Sequence, residues 1–113
     1  MIYLSIALFA LSAVLGLAIL LKWLSKKDAS KAVIYSHGIV AVAGLTLLLV
    51  YAMQHPENFP KASIILFAVA AIAGLYMFIL DLQKKFSPMA LAFTHAFVAV
   101  AGFLMLLFFA FAS

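Results

Sequence analysis

A chain of 113 residues that is 70% hydrophobic and only 9% charged has too little polar surface to cover a water-soluble fold of its size. Its net charge of +4 comes from lysines grouped beside apolar runs rather than from a basic face, which argues against nucleic acid as a partner. The absence of cysteine excludes disulfides, thiolate metal sites and cysteine nucleophiles.

The first apolar run, Ile2–Leu21, is free of charge and matches the roughly 20 residues a helix needs to cross about 30 Å of hydrocarbon. It predicts a helix over residues 2–24. With no basic start and no small-residue cleavage site before its lysines, it reads as a membrane helix and not as a cleaved signal peptide. Within it, Ser12-xxx-Gly16 is a small-xxx-small pattern that reads as a helix contact, and Phe9 reads as core. The connection "KWLSKKDASK" follows, with Asp28 or Ser30 available to cap the next helix.

The second run, Ala32–Met53, predicts a helix over 31–53. It carries "SHGIVAVAG", in which His37, Ala41, Gly44 and Leu48 fall at steps of four, three and four, on one helical face. Counting about 1.5 Å per residue from Lys31 places His37 roughly 9 Å inside the boundary. The polar link "QHPENFPK" comes next; its His55 reads as a solvated loop residue. Pro60 then opens a third helix over 61–82, with Ala70-xxx-Gly74 and Phe67 in the places of Ser12-xxx-Gly16 and Phe9. Asp81 lies four residues before Lys85, the spacing of an ion pair on one helix. Trp23, Tyr51 and Tyr76 read as interfacial anchors.

Ser87–Pro88 reads as an N-cap and first helical position for a fourth helix over 88–112. It carries "THAFVAVAG", so that His95, Ala99, Gly102 and Leu106 repeat the stripe of the second helix. A shift of 58 residues aligns residues 5–55 with 63–113 without a gap, and 21 of the 51 positions are identical. Lys26 and Lys27 then fall on Lys84 and Lys85. The expected fold is one all-α membrane domain over residues 1–113. It is a four-transmembrane-helix bundle of two tandem helical hairpins, related by a pseudo-twofold axis along the membrane normal. In an up-down-up-down bundle the second and fourth helices are diagonal, so both histidines look across the core.

An imidazole inside a membrane is costly and marks a functional site by default. Two at matched depth suggest haem b held between His37 and His95 for one-electron transfer, an electron carrier more than an enzyme, with no catalytic residues assigned. In this reading Ala41, Gly44, Ala99 and Gly102 give the macrocycle room. Lys26, Lys27, Lys84 and Lys85 pair with its propionates, and the carbonyls of Val33 and Leu91 orient the imidazoles. The arrangement is similar in pattern to small membrane b-type cytochromes, an analogy of architecture. The expected partners are the lipid bilayer and a quinol or redox partner, and a homo-oligomer is compatible. Six of the seven lysines flank the first and third connections, which predicts both termini outside and suits a bacterial inner membrane. Two other readings use the same residues: a small transporter or proton-coupled carrier on the axis, and a scaffold subunit with structural histidines. Two histidines without a carboxylate at their depth make a poor zinc site.

Overall fold

The computed structural model describes residues 1–112. They form four α-helices: α1 (Ile2–Leu24), α2 (Lys31–Gln54), α3 (Lys61–Leu82) and α4 (Met89–Phe111). Each is long and apolar enough to cross a membrane, with mean hydropathies of 2.1–2.7 over its most apolar stretch. They lie side by side in a bundle 44 Å long and 21 × 19 Å across. Val14, Ile39, Ile72 and Phe97 are each 66–78% exposed on its outside. Apolar surface of this extent is stable against hydrocarbon and would aggregate in water.

The predicted spans match the helices to within a residue. Helix ends differ more. Ser30 and Pro88 occupy the N-cap positions of α2 and α4, and neither helix has a side-chain cap bond. Ser87 therefore lies one residue too early, and Pro88 stands outside the helix and not as its first turn.

Both cytoplasm-predicted helix ends close the same way. Lys26 and Lys84 adopt left-handed φ values of 59° and 58°. The amides of Lys27 and Lys85 reach back to the carbonyls of Lys22 and Leu80, at 2.9 Å in each case, and those of Lys26 and Lys84 to Trp23 and Asp81. This is a Schellman turn, which satisfies carbonyls that the helix end leaves unpaired.

Helices α1 and α2 pack closely, as do α3 and α4, while the two hairpins meet more thinly, through α1 against α4 and α2 against α3. Diagonal pairs have no close backbone approach, so only side chains fill the axis. Phe9 and Phe67, and Leu48 and Leu106, form one buried cluster, and Ser5 and Ser63 are buried as well. The Phe9 and Phe67 rings stack face to face, with centres 3.9 Å apart and planes within 5°. At the opposite end from the chain termini, Lys31 of α2 pairs with Asp81 of α3 and ties the two hairpins together. Asp81 thus finds its cation on the neighbouring helix and not at Lys85. Lys85 belongs to the turn, beyond the helical geometry that would bring it over Asp81.

Candidate functional site

The site is built from diagonal helices. His37 on α2 and His95 on α4 face one another across the axis, with ring centres 6.3 Å apart and planes at 79°. Both are half-buried. In each hairpin the imidazole bonds a carbonyl of the neighbouring helix: His37 Nδ1 reaches Ser12 O at 2.8 Å, and His95 Nδ1 reaches Ala70 O at 2.8 Å. A carbonyl only accepts, so Nδ1 carries the proton, and in the neutral ring Nε2 carries a lone pair. Neither Nε2 has a hydrogen-bond partner among the described residues.

The orienting carbonyls are therefore those of Ser12 and Ala70, not Val33 and Leu91. A carbonyl one turn back on the same helix already accepts its own i→i+4 bond and points along the axis. A carbonyl across the hairpin can be approached from the side if nothing covers it, and glycine one turn on makes that possible. A Cβ built on Gly16 would lie 2.9 Å from His37 Cε1, and one on Gly74 would lie 3.1 Å from His95 Cε1. Each glycine is the seat of an imidazole. The small-xxx-small patterns at 12–16 and 70–74 are helix contacts, as read, and they also hold the histidines.

The two histidines are held differently in one respect. Ser12 donates its hydroxyl to His37 O at 3.2 Å and lies 3.1 Å from His37 Nδ1, so serine and histidine clasp each other. Ala70 has no hydroxyl, and His95 is held by the carbonyl alone.

Gly44 and Gly102 are buried on the same stripes as the histidines, with Ala41 and Ala99 half-buried between. The space beside these glycines is taken: Phe9 lies 3.1–3.3 Å from a Cβ built on Gly44, and Phe67 lies 3.3 Å from one on Gly102. The stacked phenyl pair thus occupies the room assigned from sequence to a macrocycle. Lys26, Lys27, Lys84 and Lys85 are all exposed on the Schellman turns.

By donor chemistry, a pair of imidazoles facing one another is a set that a haem iron can take. The lateral space fits only if the Phe9 and Phe67 rings turn aside. Among the described residues no group of three or more His, Cys, Asp or Glu side chains could hold a bare metal ion. Compared with known protein families, with curated proteins and with solved structures, the chain matches none.

Proposed function

We propose that this protein is an integral membrane four-helix bundle of two tandem hairpins whose His37–His95 pair ligates haem b for one-electron transfer. The observation that carries this reading is the pair itself: two imidazoles on diagonal helices, each with Nδ1 committed to a carbonyl, 6.3 Å apart. Bundle cores build such sites from facing helices, and the second hydrogen bond on each ring fixes the tautomer that a metal needs. When bound, the iron supplies the one-electron chemistry. The chain's part is to hold two neutral imidazoles, to surround them with hydrocarbon and to exclude water.

Residue roles follow. His37 and His95 would hold the iron; Ser12 and Ala70 orient them through their carbonyls; Gly16 and Gly74 let the rings sit against α1 and α3. Phe9 and Phe67 border the site and must rotate to admit a macrocycle. Lys26, Lys27, Lys84 and Lys85 are candidate partners for propionates. A quinol or a redox protein would exchange the electron.

One observation favours a second reading. Ser5 and Ser63 are buried hydroxyl residues one turn before the stacked Phe9 and Phe67 on their helices, on the side away from the histidines, an order that suits a gated carrier. That function needs no haem. The absorption spectrum of protein purified from haem-replete cells separates the two. The expected result is sharp reduced bands of a six-coordinate low-spin centre, lost in His37→Ala and in His95→Ala. A well-folded, colourless protein overturns the haem reading. Phe67→Ala adds a finer test, because removing the ring should ease loading. If histidine serves packing alone, that change only destabilises, by about 3–5 kcal/mol.

A further inference from the structure

A second feature lies away from the histidines, at the end of the bundle where the chain begins and ends. A groove of about 370 Å³ opens between the start of α3 and the end of α4. Its apolar wall is Met105, Phe108 and Phe109, and its polar rim is Asn58, Lys61 and Ser63. The first intrahelical bond of α3 runs from Ile64 N to Pro60 O at 3.0 Å, which leaves the amides of Ala62 and Ser63 without a helical partner. Lys61 leans over Phe59, its ammonium 5.9 Å from the ring centre.

The independent sign of a missing ligand is Ser63. It is 1% exposed, and its hydroxyl has no hydrogen-bond partner. Its counterpart Ser5, 58 residues earlier, donates to Gly44 O at 3.3 Å. A buried hydroxyl without a partner is disfavoured, and this one lines the groove. Every polar group on the rim can donate: amides, an ammonium, a carboxamide and a hydroxyl. Among the described residues no carboxylate lines it.

We infer that this groove binds one anionic phospholipid. The phosphate sits at the N-terminus of α3, where backbone amides and the positive end of the helix dipole favour it, with Lys61 as counter-ion. The acyl chain runs down the Phe108 face. Charge complementarity chooses this occupant: a choline headgroup would bring a second cation against Lys61, and a neutral lipid would leave the donors unmatched.

Native mass spectrometry of the full chain in detergent tests this, with phosphatidylglycerol as the probe. The wild type should retain one phosphatidylglycerol. Lys61→Gln and Ser63→Ala should each weaken retention, Lys61→Gln by about tenfold because a charge-assisted contact is lost. Lys22→Gln, at the other end of the bundle, should match wild type, as should the double variant His37→Ala/His95→Ala, since the groove is independent of the histidines. Lys61 is exposed, so its substitution leaves the fold intact and circular dichroism verifies this. Equal loss in Lys22→Gln and Lys61→Gln overturns the site in favour of general surface attraction. Equal retention of diacylglycerol overturns the role of the phosphate. Displacement of the lipid by millimolar inorganic phosphate overturns the lipid in favour of the free anion.

Discussion

At the scale of single residues, the glycines divide by what a methyl group would meet. Gly38 has nothing within 4 Å of a built Cβ, so Gly38→Ala should stabilise the helix by about 0.5–1 kcal/mol through backbone entropy. Gly16→Ala gains the same term but drives a methyl to 2.9 Å from a ring anchored by its Nδ1 bond. It should therefore raise stability less than Gly38→Ala, or lower it, and should shift the His37 ring nitrogens in ¹⁵N NMR. Gly74→Ala, at 3.1 Å, should do less. An unshifted His37 in Gly16→Ala would show that the glycine is not its seat. The histidine pair was legible in the sequence because an imidazole in hydrocarbon has few uses. The seat was not. Spacing along one helix places Gly44 on the histidine stripe, but it does not say whose ring fills the gap. Phe9 comes from a different helix, and its reach depends on hairpin packing. The sequence does hold one signal for the seat: Gly16 and Gly74 recur at the same offset as the histidines.

At the scale of helices and turns, the repeated lysine pairs have a structural role that charge alone does not suggest. A left-handed φ costs an L-residue roughly 1–2 kcal/mol, and glycine is the usual choice at this position of a Schellman turn. Lys26→Gly and Lys84→Gly should each stabilise the protein by about 1 kcal/mol, read from unfolding in mixed micelles, without changing any contact in the core. No gain in either variant would mean that the lysine side chains contribute something offsetting at these turns. Helix boundaries were legible because the apolar runs end sharply at lysine, glutamine, aspartate and proline. The caps were not. Ser30 makes no cap bond, and the first-turn amides at a membrane surface can be satisfied by water or lipid. The Lys31–Asp81 pair joins residues 50 apart in sequence, so it follows only from α2 and α3 being antiparallel neighbours.

At the scale of the whole molecule, lysine placement makes an orientation testable. Lys22, Lys26, Lys27 and Lys31 flank the first connection and Lys84 and Lys85 the third, while Lys61 stands alone at the other end. Connections this short lie within the range where the lysine bias sets topology. With four crossings, the expected orientation has both termini on the outer side and the Schellman turns and the Lys31–Asp81 pair facing the cytoplasm. Each hairpin carries its own lysine pair, so both halves of the chain contribute to the bias. Reporter fusions after Ala112 and within the Lys27–Ser30 turn should report opposite sides, the first outside and the second inside. Replacing Lys26, Lys27, Lys84 and Lys85 by glutamine together leaves a lysine excess of two against one and should yield mixed orientations. Replacing only Lys26 and Lys27 should not, since four still oppose one. A cytoplasmic reporter after Ala112 in the unmodified chain would overturn the assignment. It would also place the α3–α4 groove on the cytoplasmic side, where anionic phospholipid is no less available, so the lipid proposal stands or falls separately.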